Sequence, residues 1–316
     1  MKALLFPGQG SQSIGMGLEF YKNFDTARKI FLEADENLNF KISKIILEGP
    51  EKELKLTQNT QPAILTVTCA IYNVLKKDFG LKLDNFKYYA GHSLGEYSAL
   101  VCSGSLKFQD ALYLLHERGK AMQEAVPVGK GAMLAILGSQ IDEINQFIAK
   151  IKEKGICEVA NDNANGQTIV SGNIESITNL QNILSKNKKK AILLPVSAPF
   201  HCSLMKGAAE KMKEKIEPVN FEKLNFEIIS NVTALPENDP KKIKKLLVEQ
   251  IYTKVRWRES IINMSNNGIR EFIEIGPGKV LSGLSKRIIR DAKASSINSI
   301  EDIKNNIKWI LKIKKF

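Results

Sequence analysis

The chain has 316 residues, 43% of them hydrophobic, with four cysteines and a formal charge of +12, enough to bury a sizeable core in one large domain or in a large and a small one. The apolar start Ala3-Leu4-Leu5-Phe6 is cut by Pro7-Gly8, too short for a signal peptide, and no later run reaches membrane-spanning length. Cys69, Cys102, Cys157 and Cys202 show no C-x-x-C spacing, which excludes a disulfide framework and a zinc site and leaves a reducing cytoplasm as the expected compartment. The positive charge comes from lysines scattered through an Ile-, Asn- and Lys-rich sequence. No basic helix with interleaved aromatics and no nucleic-acid motif accompanies them, so nucleic acid is not an expected partner, whereas an acidic protein would suit such a surface.

In chain order, residues 2–6 read as a short buried strand broken by Pro7-Gly8-Gln9-Gly10-Ser11-Gln12. That loop either lets backbone approach a ligand closely or is an ordinary strand-to-helix turn. Amphipathic helices follow at 17–23 and 26–38, a short segment at 42–47 and a long core helix at 61–79, where Ile64, Val67, Ala70, Ile71, Val74 and Leu75 recur at helical spacing. A strand then runs into Gly91-His92-Ser93-Leu94-Gly95, with a helix at 94–102 directly after it. Ser105 looks like the N-cap of the next helix, which carries Leu114, Leu115, Arg118 and Met122.

From Gly131 the period changes. Residues 132–137 read as a strand, 141–154 as a helix, 157–160 and 167–171 as strands around a turn at 161–166, 174–185 as a helix and 191–196 as a strand. The order β-α-β-β-α-β is that of a ferredoxin-like unit, large enough for a small domain inserted into a larger one. The expected division is 1–128 with 197–316 for the large domain and 129–196 for the insertion. Alternation resumes with a helix at 204–216, a strand at 226–230, helices at 240–250 and 259–267, a strand at 271–275, a helix opened by Gly276-Pro277-Gly278 and a last helix at 300–313. Strands alternating with helices predict a parallel central sheet covered on both faces, with ligands bound beyond the carboxyl ends of its strands.

The G-x-S-x-G pattern, set between a strand and a helix, is the context in which a serine acts as a nucleophile; in isolation it is equally a Gly/Ser turn. A serine hydroxyl needs a base, and the chain has three histidines. His92 adjoins Ser93 and should project away from it, and His116 lies within a helix. His201, in a loop after a strand, is the candidate by elimination, the alternative being an ordinary loop histidine. No acid with a clear loop position emerges to orient it.

Six stretches, in order, resemble the malonyl-CoA:acyl-carrier-protein transacylases: Phe6-Pro7-Gly8-Gln9-Gly10-Ser11-Gln12, Gly91-His92-Ser93-Leu94-Gly95-Glu96, Glu117-Arg118-Gly119, Ser197-Ala198-Pro199-Phe200-His201, Val248-Glu249-Gln250-Ile251-Tyr252 and Glu274-Ile275-Gly276-Pro277-Gly278. The resemblance implies an α/β-hydrolase-like large domain with a ferredoxin-like insertion. It implies Ser93 as the acylated nucleophile and His201 as general base and acid, with the backbone carbonyl of Gln250 orienting His201. Gln9 and Leu94 would supply the N–H groups of an oxyanion hole, and Arg118 would hold the free carboxylate of a malonyl group. Phe200 would leave little room for a branched acyl group, and Met122 would line the same pocket or serve as core. Malonyl-CoA and an acidic acyl carrier protein are the implied partners, lysines 186 and 188–190 a candidate docking edge, and a monomer without metal or redox cofactor the implied form. A thioesterase using water, a related acyltransferase loading another acyl group for polyketide synthesis, and a non-catalytic docking module remain the rival readings.

Overall fold

A computed structural model describes residues 1–82, 86–151, 155–196, 198–224 and 226–311. Strand β1 (Lys2–Phe6) is followed by α1 (Leu18–Asn23), α2 (Asp25–Leu38), α3 (Ile42–Glu48), α4 (Glu51–Leu54) and the long α5 (Thr57–Lys77). Then come β2 (Tyr88–Gly91), α6 (Gly95–Ser103) and α7 (Phe108–Glu124). A second set runs β3 (Gly131–Leu137), α8 (Ile141–Ala149), β4 (Cys157–Ala164), β5 (Gln167–Asn173), α9 (Ile174–Lys186) and β6 (Lys190–Leu193). The remainder comprises α10 (Lys206–Ile216), β7 (Glu227–Ile229), β8 (Pro236–Glu237), α11 (Pro240–Gln250), α12 (Trp257–Asn266), β9 (Glu271–Ile275), α13 (Val280–Ile288), β10 (Lys293–Ile297) and α14 (Ile300–Leu311).

The central sheet is ordered β10-β9-β1-β2-β7-β8 and is parallel except for the short antiparallel β8. Its middle strands are buried on both faces, as parallel strands flanked by helices must be. Leu4, Phe6, Tyr89, Ile273 and Ile275 face the larger core with α2, α5 and α7, and Ala3, Leu5, Tyr88, Ala90 and Phe272 face a second core with Trp257, Ile261 and Met264 of α12. Each fully buried Leu, Ile or Phe there contributes about 1.5–3 kcal/mol by leaving water. This core fixes the strand ends from which the site is built.

The second sheet, ordered β4-β5-β3-β6, is antiparallel throughout. Along β3 the side chains alternate: Ala132, Leu134 and Ile136 pack under α8 and α9, while Met133 and Ala135 join the larger core. One face of this sheet therefore turns toward the core of the six-stranded sheet.

The sequence expectations hold for most elements and fail at particular ones. The long helix starts at Thr57, ahead of Pro62, which it carries in its second turn. Proline has no N–H for the Gln58 carbonyl one turn back; the His116 ring takes up that carbonyl at 2.9 Å. Ser105 is not an N-cap: its hydroxyl donates to the Glu222 carbonyl, and α7 starts at Phe108 with no side-chain cap. The stretch expected as a turn at 161–166 is mostly strand, since β4 runs through two bulges to Ala164. Its polar side chains are held from outside the sheet, Asp162 by Arg258 and Asn163 by His92. β6 ends at Leu193 and not at 196. Strand β10, with two serines among its five residues, carried no strand pattern in the sequence. The tail ends of two expected helices, 152–154 and 312–313, lie outside the described residues, as does Ser197.

Candidate active site

β2 ends at Gly91 and α6 begins at Gly95, so three residues reverse the chain. Ser93 sits at the apex with φ 54°, a left-handed conformation that costs a non-glycine residue about 1–2 kcal/mol. The turn is packed too tightly for side chains beside it: a Cβ on Gly91 would fall 1.9 Å from the Gly95 carbonyl, and one on Gly95 would fall 2.2 Å from the Phe6 oxygen. Asn231, just after β7, pins both sides of the turn. Its Oδ1 accepts from the Ser93 N–H at 2.7 Å and its Nδ2 donates to the Gly91 carbonyl at 2.7 Å.

His201 reaches this serine from the loop after β6 and also has a left-handed backbone, φ 58°. Its Nε2 lies 2.8 Å from Ser93 Oγ, and its Nδ1 lies 2.8 Å from the Gln250 carbonyl at the C-terminus of α11. A carbonyl only accepts, so Nδ1 carries the proton and Nε2 is left to accept from the serine hydroxyl. A backbone carbonyl thus occupies the place of the missing acid. Burial pushes the histidine pKa down to about 3, with the Arg118 charge adding to it. The ring is therefore neutral and able to act as a base at any physiological pH.

Arg118 is 1% exposed, yet its partners are neutral. One guanidinium nitrogen, Nη1, donates to Gln61 Oε1 at 2.8 Å, and Nη2 donates to Gln250 Oε1 at 2.9 Å and to Ser93 Oγ at 3.2 Å. Nε has no partner among the described residues. A buried cation without a bonded anion is costly, and burial lowers its pKa. Behind it, Gln250 Nε2 donates to the Ser93 carbonyl at 3.1 Å and to Glu96 Oε2 at 2.7 Å, and that same oxygen accepts the Asn231 N–H at 3.1 Å. Burial pushes the Glu96 pKa up to about 7 against these hydrogen bonds.

A cavity of about 300 Å³ opens in front of these groups. Gln9, Ser93, Arg118, Met122, Phe200 and His201 line it, together with Met133 and Ile169 from the second sheet and Val280 and Leu284 from α13. Leu94 and Gln250 stand behind the lining. The backbone N–H groups of Gln9 and Leu94 donate to no acceptor among the described residues. Three neighbours were not foreseen from the sequence: Gln61, Glu96 and Asn231. Glu96 stood inside the stretch 91–96 with no role assigned to it, and Asn231 carried no reading at all. His92 and His116 are where expected, away from the serine hydroxyl, bonded to Asn163 and to the Gln58 carbonyl. Of the lysines at the suggested docking edge, Lys189 is ion-paired with Glu143 of α8, on the helix-covered side of the second sheet.

The arrangement has what acyl transfer through serine requires: a positioned hydroxyl, a neutral imidazole on it and unused N–H donors nearby. The chain belongs to the acyl transferase domain family, which matches residues 3–312. It is 46% identical to the malonyl CoA-acyl carrier protein transacylase of Bacillus subtilis, over 95% of this chain and 94% of that protein. The enzyme of the same description from Escherichia coli K12 is 39% identical over 94% and 95%. Among solved structures, the acyl-carrier-protein S-malonyltransferase of Bartonella henselae superposes with a TM-score of 0.95 at 43% identity, covering 98% of this chain and 99% of that one. A malonyl-transacylase in complex with its type II PKS acyl-carrier protein superposes at 0.93 with 37% identity, covering 99% of each chain.

Proposed function

We propose that this chain is a malonyl-CoA:acyl-carrier-protein transacylase that supplies malonyl groups for fatty acid chain elongation. Ser93 Oγ attacks the thioester carbonyl of malonyl-CoA while His201 Nε2 takes its proton. The Gln9 and Leu94 N–H groups stabilise the resulting oxyanion, and the C–S bond breaks as His201 returns the proton to the CoA sulfur. The phosphopantetheine thiol of acyl carrier protein then attacks the malonyl-serine ester, with His201 again first base and then acid, and Ser93 is regenerated. The steps balance with protein groups alone and call for no metal or redox cofactor.

The observation that carries the substrate is Arg118, a buried guanidinium with neutral partners, 3.2 Å from the serine hydroxyl. A malonyl group differs from acetyl by a terminal carboxylate, and a guanidinium binds that group by charge-assisted hydrogen bonds worth about 1.5–3 kcal/mol. The same pairing has a second effect. Arg118 is one cause of the low His201 pKa; an arriving carboxylate cancels part of that field and raises the basicity of the imidazole. Malonyl thus helps activate the base that deprotonates Ser93, and acetyl does not. Phe200 and Met122 on the cavity wall limit branching at the acyl group.

The β-α-β-β-α-β connectivity of the second sheet supports a ferredoxin-like unit at 129–196, inserted into an α/β-hydrolase-like domain formed by 1–128 and 197–316. The carrier-bound relative supports acyl carrier protein as acceptor, and the basic surface suits an acidic partner. No described helix is long and apolar enough to cross a membrane; a cytoplasmic, monomeric enzyme is the form the resemblance implies.

Incubation with malonyl-CoA and no acceptor tests the reading. One equivalent of CoA should be released in a burst, with the malonyl adduct mapped to Ser93 by mass spectrometry. Continuous CoA release with free malonate would replace the transferase by a thioesterase.

A further inference from the structure

Gln250 does more than lend its backbone carbonyl to His201. Its side-chain amide lies between Arg118 and Glu96, and its two ends are chemically opposite. Oε1 accepts from Arg118 at 2.9 Å, and Nε2 donates to Glu96 at 2.7 Å. An amide rotated by half a turn would aim two N–H bonds at a guanidinium, donor against donor. The Ser93 carbonyl, at 3.1 Å from Nε2, opposes that flip. The Glu96 contact is shorter and is made by a carboxylate, which makes it the stronger of the two.

Glu96 is 2% exposed and lies in the first turn of α6, directly under the elbow. The Oε2 atom that holds Gln250 also holds the Asn231 N–H. Asn231 in turn fixes the Ser93 N–H and the Gly91 carbonyl. One buried oxygen therefore ties together the residue that shapes the elbow and the residue that aims the guanidinium. A buried carboxylate without a cation bonded to it is expensive to keep; what it provides here is an acceptor for two buried donors, the Asn231 N–H and the Gln250 amide.

We infer that Glu96 is a positioning residue for acyl selectivity, acting through the Gln250 amide to hold the Arg118 guanidinium in register with Ser93. The inference rests on Arg118 as the carboxylate partner. Without Glu96 the Gln250 amide is held against turning by the Ser93 carbonyl alone; when it turns, Arg118 Nη2 loses its shorter acceptor and keeps only Ser93 Oγ, and the guanidinium moves off the position from which it meets a carboxylate on an acyl group bonded to Ser93. The Ser93–His201 and His201–Gln250 carbonyl bonds do not run through the Gln250 amide or the guanidinium, so a substrate without the carboxylate is affected less.

The experiment compares malonyl with acetyl transfer in Glu96→Met, which keeps length and removes the acceptor, and in Glu96→Gln, which keeps an acceptor oxygen and removes the charge. Arg118→Ala is the reference, and melting temperatures report folding. Glu96→Met should lower the ratio of malonyl to acetyl kcat/KM by roughly tenfold or more. Glu96→Gln should restore most of it, and Glu96→Met should add nothing to the loss already present in Arg118→Ala. If Glu96→Met folds poorly, Glu96→Asp, which withdraws the carboxylate by one methylene, takes its place with the same expected loss. A fall in both substrates alike, unrescued by glutamine, would make Glu96 structural and overturn the inference while leaving Arg118 in place. An unchanged ratio in Arg118→Ala would overturn both readings.

Discussion

The two sheets contribute to the cavity in different ways. The six-stranded sheet supplies the nucleophile and its supports from loops at the carboxyl ends of its strands, the Gln9 loop after β1, Ser93 after β2 and Asn231 after β7, and His201 meets them from the loop that leaves β6. Ser93, Asn231 and His201 are each fixed by several bonds at once, and two of the left-handed non-glycine residues, Ser93 and His201, face each other at 2.8 Å. The four-stranded sheet supplies a wall, with Met133 and Ile169 held by packing. Backbone strain and a closed hydrogen-bond network set positions to fractions of an ångström, which proton transfer needs. Packing sets a volume, which is all that discrimination between acyl shapes needs. On this account the first region should be intolerant of any change in chemistry, and the second should respond gradually.

Ser93→Ala is the sharpest way to break that comparison. Transfer should fall by at least roughly 10⁴-fold, and no malonyl adduct should appear in the intact mass. His201→Ala should fall by a similar factor, and the double variant by little more, because the pair acts as a unit. A Ser93→Ala protein that still transferred malonyl at near the parent rate would move the nucleophile elsewhere.

A smaller effect comes from the two buried titratable groups of the same network, which pull stability in opposite directions with pH. Burial holds His201 at about 3, below its usual 6.5. Below pH 6.5 the unfolded chain takes up a proton that the folded one refuses, so this group destabilises the fold as pH falls through that window. Glu96, pushed up to about 7 from 4.5, does the reverse: the folded state takes up its proton first, and stability rises as pH falls from about 7 toward 4.5. Between about pH 6.5 and 4.5 the two nearly cancel. His201→Asn should therefore become more stable relative to the parent on acidification from pH 7 to 5, by on the order of 2 kcal/mol, and Glu96→Gln should become less stable by a similar amount. Urea midpoints across that range measure both. Two variants that track the parent curve would show that neither pKa is displaced.

Much of this was legible in the sequence, and the limits have physical reasons. The elbow could be read because glycine spacing around a serine is local turn chemistry. His201 could be reached because the chain has few histidines, and the second sheet because its period alternates between two and 3.6. The stretch from Asn161 to Asn163 was misread because Asn and Asp also favour turns; in the fold their side chains are satisfied by groups nearly a hundred residues away or on the elbow itself, such as Arg258 and His92. Strand β10 is too polar to show an apolar alternation. Gln250 illustrates the deepest limit. Its bond to His201 uses a backbone carbonyl, which every residue possesses, and its side chain finds Glu96 only across 154 positions of sequence.

The wall provides the mildest test. Ile169 is 8% exposed, on a β5 face that turns to the cavity. Ile169→Val removes one methylene, which costs about 0.5–1.5 kcal/mol of stability and leaves the Ser93–His201–Arg118 geometry untouched. kcat for malonyl transfer should stay within about twofold, while the ratio of methylmalonyl to malonyl transfer should rise several-fold, the scale at which one methylene of space discriminates between substrates. That separation, a shape preference shifted without loss of chemistry, is what a packed wall predicts. A fall in malonyl kcat comparable with that of Arg118→Ala would mean that the Met133–Ile169 wall holds reacting groups in place, and the division between positioned groups and packed wall would be wrong.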